Sequence, residues 1–307
     1  MRLSTRTNLW LTYFQATRPA FLSITALAFL LGMTIGSWSN IQWLLSFIGL
    51  TLALIAHAAA NVINDFHDSI NGSDWNNTNR IYPFTGGSRF IQEAKLTEWQ
   101  IKRLAIILFS IVIAGGLMLV YFSSMNLLWI GVAGVAIGWF YSAKPFQLMS
   151  RGIWGEISIS IAWSLIVFGS YCLNNPSSSP DPKIIWIACA YGVMVSTILF
   201  INQIPDIQAD RQAMKITLAA AAKNSNLSGW YAGIAMTAYA LLIVGMSLQQ
   251  LSWDYLLALT PLPWHWAIAM RLHRNLGNSQ IIKSCIIQTI VLVHVFALIL
   301  IAVNLTT

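Results

Sequence analysis

Charged residues are scarce in this sequence. Only 9% of its 307 residues are Asp, Glu, Lys or Arg, whereas 57% are hydrophobic and the mean hydropathy is +0.65. A soluble globular domain carries about 25% charged residues, so this composition excludes that class. The sequence therefore predicts an all-α polytopic membrane protein, organised as a single transmembrane domain over residues 1–307.

Cysteine is scarce as well, with three residues in the chain. Cys172, Cys189 and Cys285 lie far apart, within or beside apolar runs, and none has CxxC spacing. The pattern gives no indication of a cysteine metal site and favours small, buried hydrophobic side chains.

Long apolar runs are what the chain has in abundance. A helix that spans a bilayer needs about 20 mainly apolar residues. The runs predict nine transmembrane helices, at residues 20–37, 42–63, 104–122, 126–142, 153–173, 184–204, 230–248, 252–270 and 284–303. The first run lies behind Arg2, Arg6 and Arg18, but it lacks a small-residue cleavage site, so we interpret it as a retained helix and not as a signal peptide.

The positions of Lys and Arg predict the orientation. With nine spans and a cytoplasmic N-terminus, all 17 of these residues except Lys183 fall on the cytoplasmic side, as the positive-inside rule requires. They are spread over several short loops, which suits anionic lipids or ligands and does not favour a nucleic-acid partner. We expect an integral protein of a bacterial cytoplasmic membrane with its site facing the cytoplasm. Its oligomeric state is left open.

Two polar clusters interrupt the apolar pattern. The first, from Asn61 to Gln92, follows the second predicted span. Because residues three or four apart share a helix face, Asn61, Asp65 and Asp68 form one polar stripe, which Asp74 continues in the loop.

The second cluster, from Asn202 to Lys215, follows the sixth predicted span. Asn202, Asp206 and Asp210 recur at steps of four and predict a second stripe, with a bend expected at Pro205. Both clusters fall at cytoplasmic helix ends, so we expect them to face each other and to share one ligand.

The chemistry of the clusters points to a metal-bound diphosphate. A carboxylate at membrane depth costs about 2.5–3.5 kcal/mol, so something cationic must balance these acids. Carboxylate and amide oxygens suit Mg²⁺, which shares its shell with substrate phosphates. Arg80, Arg89, Arg211 and Lys215 lie in the same loops and could neutralise the remaining phosphate charge. The alternative is that these loops are solvated caps with local Asx turns.

Three further residues have two readings each. His57 is either a cavity-lining group or a packed, hydrogen-bonded side chain. Lys144 and Arg151, near Glu156, are either positive anchors at the membrane surface with an intrahelical ion pair, or a phosphate contact at the mouth of a cavity.

The motifs Asn61-x3-Asp65-x2-Asp68 and Asn202-x3-Asp206-x3-Asp210 resemble those of the UbiA superfamily of membrane prenyltransferases. The resemblance extends to Arg18-Pro19, to the segments YSAKP and RGIWGE, and to DRQAMKITLA after the second motif.

Within the superfamily, Gly72–Asp74 and Pro83–Ser88 look most like the 1,4-dihydroxy-2-naphthoate polyprenyltransferase branch. Some members have a further Asp where this chain has Gly72, and Asp74 is expected to take its part. Gln203 and Ile216 replace the commoner Asn and Arg of that region.

The resemblance implies a bundle of nine helices around a central cavity that opens sideways to lipid. It implies Mg²⁺ as cofactor, a polyprenyl diphosphate as donor and a small aromatic acceptor, which would be 1,4-dihydroxy-2-naphthoate in menaquinone biosynthesis. The implied catalytic residues are Asp65, Asp68, Asp206 and Asp210. The implied metal ligands are these four with Asn61 and Asn202. The implied substrate-binding residues are Asn61, Asn64, Asp74, Arg80, Lys144, Asn202 and Lys215.

Two other functions remain open from the sequence. The first is a prenyltransferase of the same superfamily with another acceptor, such as 4-hydroxybenzoate, homogentisate, a chlorin or a glycerol-lipid alcohol. The second is a secondary transporter, which would have its polar groups near the bilayer midplane.

Overall fold

The computed structural model describes residues 9–36, 41–176 and 180–306. Arg2, Arg6, Ser37 and the middle of the loop between the fifth and sixth predicted spans lie outside the described residues. The described chain is all-α, as predicted, apart from one short parallel strand pair.

Thirteen α-helices follow one another within the described residues. They are α1 Leu9–Ala16, α2 Leu22–Ile35, α3 Trp43–Asn71, α4 Ser73–Asn76, α5 Glu98–Phe122, α6 Asn126–Phe140, α7 Trp154–Asn174, α8 Lys183–Gln203, α9 Ile207–Gln212, α10 Leu218–Ala221, α11 Leu227–Ser247, α12 Leu262–Asn275 and α13 Ser279–Thr306. Short 3-10 turns at Pro19–Phe21, Leu148–Ser150, Asn224–Asn226 and Trp253–Leu259 join some of them. The strands β1 (Arg151–Gly152) and β2 (Ile216–Thr217) pair in parallel.

In the part of the chain that the structure describes, six helices are long and apolar enough to cross a membrane: α3, α5, α7, α8, α11 with its preceding turn, and α13. A seventh is obtained if α1 and the helical segment Pro19–Ile35, which are bent by 42°, count as one span. An integral membrane protein is therefore confirmed, whereas the predicted nine spans are not.

The two remaining predicted spans form helices that are shorter than predicted. The run at 126–142 becomes α6, which has only 15 residues. The run at 252–270 contains Pro261 and Pro263, which cannot continue a helix from the preceding turn. It divides into a 3-10 segment, Trp253–Leu259, and α12, which begins at Leu262.

The core is centred on α7 and α8, which pack against α2, α11 and α13. The Tyr191 hydroxyl donates to the Ile24 carbonyl at 2.7 Å, and the Ser170 hydroxyl donates to the Phe29 carbonyl at 2.7 Å. Gly192 brings α8 close to α7, because a Cβ there would lie 2.1 Å from the Ser160 carbonyl oxygen. Small residues and interhelical hydrogen bonds of this kind hold membrane helices together.

A capping box marks the start of α5, ahead of the span predicted at 104–122. The backbone N–H of Gln100 donates to the Thr97 hydroxyl at 3.2 Å, and the Thr97 N–H donates to the Gln100 side chain at 2.8 Å. Helix α5 therefore begins at Glu98, one turn and a half before its apolar run.

Candidate active site

A cavity of about 290 Å³ lies at one end of the bundle, between α2, α3, α6, α7 and α8 and the two polar loops. The structure brings most of the predicted site residues to its wall. Those that line it are Asn61, Asn64, Asp68, Asp74, Asn202, Asp206, Asp210 and Lys215. The two polar clusters, more than a hundred residues apart in sequence, therefore meet in one site.

Helix α3 carries the first stripe and extends well beyond its apolar run, to Asn71. Gly72 ends it in the left-handed conformation, at φ 86°, and the chain then forms α4, which holds Asp74. Asp68 faces the cavity. Asp65, which is only 3% exposed, lies behind the wall and accepts the backbone N–H of Ser88 at 3.1 Å.

Arg18 is a site residue that the sequence reasoning did not assign. It lines the cavity and forms an ion pair with Asp65. Helix α1 ends just before it, Pro19 starts a new turn, and Arg18 itself has φ 55°, so the bend directs the side chain inward. The sequence feature that could have identified Arg18 is its position directly before a proline, at the start of the first apolar run.

The bend predicted at Pro205 is a complete break between two helices, so the second stripe is not one continuous helix. Pro205 lacks an N–H group, so α8 ends at Gln203 and α9 begins at Ile207. The break leaves Asp206 in the connection, where it accepts the Asn77 amide at 2.7 Å and the Gly86 N–H at 3.3 Å. Asn77 and Gly86 are therefore further site residues, contributed by the first loop.

Lys215 links the two clusters. Its Nζ lies 2.9 Å from both carboxylate oxygens of Asp68 and 3.8 Å from Asp210. The next residues, Ile216 and Thr217, pair with Arg151 and Gly152 in the strand ladder, which fixes the loop behind the lysine.

The turn at Gly86 and Gly87 fits closely against the acids. Gly87 has φ 66°, a conformation that favours glycine. A Cβ on this residue would lie 2.5 Å from Asp74 Oδ2 and 3.1 Å from Asp65 Oδ1. The turn therefore needs glycine both for its backbone and for the space between the two carboxylates.

The site holds more acids than bases. Five carboxylates, from Asp65, Asp68, Asp74, Asp206 and Asp210, are matched by Arg18 and Lys215, with Arg89 donating nearby to the Asp74 and Asn77 carbonyls. Burial, with repulsion from Asp68 and Asp65, raises the pKa of Asp74 to about 8. Burial likewise raises the pKa of Asp210 to about 7, although Lys215 acts in the opposite direction. The surplus of negative charge would be relieved by bound cations.

The side chains of the two polar clusters are suited to bind Mg²⁺ together. Asp74 Oδ2, Asn77 Oδ1 and Asn202 Oδ1 are buried and have no hydrogen-bond partner. Within residues 9–36, 41–176 and 180–306, no three His, Cys, Asp or Glu side chains already converge on one point. An oxygen-rich wall with unpartnered acceptors suits a cation whose shell is completed by water and phosphate oxygens.

Two predicted residues lie outside the cavity. Arg80 lines a different cleft, and its guanidinium lies 5.5 Å from the centre of the Tyr82 ring. Lys144 is exposed at the end of α6. Neither residue reaches the acids: Arg80 packs against Gly86, where an added Cβ would lie 3.0 Å from Arg80 Cβ, and the Lys144 side chain is exposed.

The rest of the cavity wall is apolar and extends into the bundle. It includes Phe21, Ile24, Ile159, Trp163 and Ile198. His57 lines the same region, where its ring packs edge-on against Trp163 at 5.0 Å and contacts the Thr25 hydroxyl at 2.8 Å. The cavity thus joins a charged end to an apolar arm.

One buried polar pair borders the cavity without having been predicted. Gln203 donates to Glu156 Oε1 at 2.8 Å and accepts the Ala219 N–H at 3.1 Å, which fixes the orientation of its amide. Both side chains are buried, and Gln203 lines the cavity.

Comparison with known proteins identifies relatives of the entire bundle. The family model described as "UbiA prenyltransferase family" matches residues 22–303. A 1,4-dihydroxy-2-naphthoate octaprenyltransferase from Escherichia coli is 28% identical over 266 residues, which is 82% of each chain. A protein of the same name from Haemophilus influenzae is 28% identical over 67% of this chain and 68% of its own length.

A solved structure has the same fold. It is a UbiA homolog from Archaeoglobus fulgidus, described as bound to GPP and Mg²⁺. It superimposes with a TM-score of 0.65 over 95% of this chain and 99% of its own, at 14% sequence identity. Because the sequence identity is low, this match is evidence for the fold of the helix bundle.

Proposed function

The chain belongs to the UbiA prenyltransferase family, and from this premise we propose that it transfers a polyprenyl group from its diphosphate to 1,4-dihydroxy-2-naphthoate, a step of menaquinone biosynthesis. One observation carries the proposal: a single cavity joins the Asn/Asp clusters at its charged end to an apolar arm inside the bundle. The name of the Escherichia coli relative supports the choice of acceptor.

The charged end is suited to hold the donor diphosphate. Arg18, before the first apolar run, and Lys215, at the end of the second cluster, both face the cavity and would contact phosphate oxygens. Asp68, Asp74, Asn202, Asp206 and Asp210 would hold Mg²⁺, while Asp65 keeps Arg18 in position. When bound, Mg²⁺ would neutralise the diphosphate and make it a better leaving group.

The apolar arm is suited to the prenyl chain and to the reaction that follows. The C–O bond breaks and its electron pair leaves with the diphosphate, so the prenyl carbon becomes an allylic cation. Phe21, Trp163 and the other apolar side chains exclude water, which would capture this cation. Aromatic faces also attract it electrostatically.

The acceptor completes the transfer. A carbon of the electron-rich ring forms a new bond to the allylic carbon and then loses a proton, or carbon dioxide where that carbon carries a carboxyl group. The protein contributes placement and charge neutralisation rather than a covalent intermediate. The positive loops that share this end of the bundle support a location at the cytoplasmic face of a bacterial inner membrane.

A product assay tests the proposal. Purified protein, Mg²⁺ and a labelled prenyl diphosphate are incubated with 1,4-dihydroxy-2-naphthoate, 4-hydroxybenzoate and homogentisate in parallel, and each product is identified by mass. We expect prenylated naphthoate as the main product, its loss in EDTA and its return with added Mg²⁺. The product mass also distinguishes release of a proton from release of carbon dioxide.

Other outcomes would contradict it in distinct ways. If a different prenylated ring were the main product, the proposed acceptor would be wrong but the proposed prenyl transfer would still hold. Uptake of solute by proteoliposomes, without any prenylated product, would favour the transporter.

A further inference from the structure

We propose that a second cleft, separate from the active-site cavity, binds a phosphate-bearing anion at the same end of the bundle. This basic cleft has a volume of about 1100 Å³. Its walls are the loop around Arg80, the segment from Ile204 to Gln212 and the start of α13 near Lys283. Nothing in the proposed prenyl transfer uses it.

The charged side chains that line the basic cleft are all positive. Arg80, Arg211 and Lys283 come from three separate segments and meet in one concave surface. Among the described residues that line it there is no Asp or Glu, and the other polar groups are mainly amides, among them Asn79, Gln208 and Gln280. Such a surface attracts anions, and amide N–H groups and guanidinium forks match phosphate oxygens.

Two cations of the basic cleft contact uncharged partners. Arg211 donates to the carbonyls of Ala220 at 2.8 Å and Ala222 at 3.1 Å, and Arg80 lies over the Tyr82 ring. Among the described residues, none of the three cations forms an ion pair with a carboxylate, unlike Lys95 with Glu93 at 2.7 Å. Their positive charge is therefore not compensated within the described part of the protein.

The basic cleft and the active-site cavity share a wall. Asn79 donates to Gln208 at 3.3 Å on the cleft side, and Asn77 donates to Asp206 at 2.7 Å on the cavity side. These two hydrogen bonds join the same two segments, only two residues apart along each. An anion that bridges Arg80 and Arg211 would hold the segments together.

The phosphate could come from two sources. The lining also includes Leu227, Leu276 and Ile282, so an anionic lipid could place its headgroup on the cations and the start of its acyl chains on the apolar side chains. Free diphosphate could occupy the cations alone. Both ligands would bind the cations through phosphate oxygens, but only the lipid would also contact the apolar side chains through its acyl chains.

Native mass spectrometry can separate these sources. The wild-type protein is prepared in EDTA, so that Mg²⁺-dependent binding in the active site does not contribute, and is titrated with phosphatidylglycerol, phosphatidylcholine or inorganic diphosphate. Lys283→Gln and the double variant Arg80→Gln/Lys283→Gln remove cations of the cleft. Arg274→Gln is the matched control, because Arg274 is an exposed cation in the last turn of α12 that does not line the cleft. Thermal melting checks that every variant is folded.

We expect one anion to bind with an affinity that falls about five-fold for each cation removed from the cleft, with Arg274→Gln unchanged. Selective retention of phosphatidylglycerol would identify a lipid headgroup, and retention of diphosphate would identify a soluble phosphate. Equal effects of Lys283→Gln and Arg274→Gln, or equal retention of phosphatidylcholine and phosphatidylglycerol without diphosphate binding, would overturn the proposal. Because the assay measures binding in EDTA, its result is independent of prenyl transfer.

Discussion

Asp206 occupies the place where the two polar clusters touch. Its carboxylate accepts hydrogen bonds from Asn77 and Gly86 of the first loop, while its own segment connects α8 to α9. Burial raises the pKa of this carboxyl, and the hydrogen bonds from Asn77 and Thr85 oppose the shift. The two hydrogen bonds favour the charged form, and a cation bound beside Asp206 would favour it further.

Asp206→Asn keeps the size of the side chain and removes this charge. We expect the rate of prenyl transfer to fall on the order of 100-fold, because an electrostatic contact to the reacting group is lost. Initial rates at saturating Mg²⁺ measure the effect. Asp254→Asn, at an exposed position on the 3-10 segment, is the control. Equal rates for the two variants would argue against a role of Asp206 at the metal or the diphosphate.

Gly87 can be tested by adding a single methyl group. Gly87→Ala would place a Cβ 2.5 Å from Asp74 Oδ2, so we expect the turn to move and the rate of transfer to fall at least about 10-fold. The control is Gly152→Ala, which has a similar φ of 59° but no atom within 4 Å of the new Cβ. Left-handed backbone costs roughly 1–2 kcal/mol in both variants. Similar rates in both would attribute the effect to the backbone and not to the carboxylates.

Helix breaks, more than helices, position the site. Pro19 interrupts the first helical segment beside Arg18, and Pro205 interrupts the segment that carries Asn202 and Asp206. Each break leaves a polar side chain at the end of a rigid apolar helix, directed across the cavity. The sequence predicted a bend at Pro205, but it did not indicate that Arg18 would meet Asp65.

The close contact between α7 and α8 lies at the centre of the helix packing. Gly192→Ala would place a Cβ 2.1 Å from the Ser160 carbonyl oxygen and 2.4 Å from the Ser164 hydroxyl. We expect overpacking to cost about 1–3 kcal/mol and to lower the temperature at which activity in detergent is lost. Gly233→Ala on α11, where no atom lies within 4 Å, should not lower it. Equal inactivation temperatures would show that the helices can separate without cost.

The placement of the polar loops relative to the bilayer can be measured. We predict that Asn278, between α12 and α13, faces the cytoplasm and that Gln249, after α11, faces outside, because Lys and Arg are retained on the cytoplasmic side. Each is replaced by Cys in a protein whose Cys172, Cys189 and Cys285 are Ala. An impermeant maleimide should label the Gln249 site in sealed spheroplasts and the Asn278 site only after lysis. The reverse pattern would invert the topology.

Much of the site was predictable because its residues recur at helical spacing. Asn61, Asp65 and Asp68 lie on one helix, and the chain returns to a second Asn/Asp series beside a helix end. Arg80 and Lys144 show the limit of this reasoning, because a loop residue can be close in sequence to the acids and still point into another cleft. Spacing fixes which residues share a helix face, whereas loop direction depends on contacts with distant segments.

The sequence by itself determined the class of the protein, its membrane environment, the two oxygen-rich motifs and the family resemblance, because hydropathy and helical periodicity are local properties. Only the tertiary structure decided that Arg18 pairs with Asp65, that Lys215 joins Asp68 to Asp210, that Gly87 fits between two carboxylates, and that Arg80 belongs to a second cleft. These contacts join residues that are far apart along the chain. They form because the packing of α3, α7 and α8 brings two helix ends to the same place.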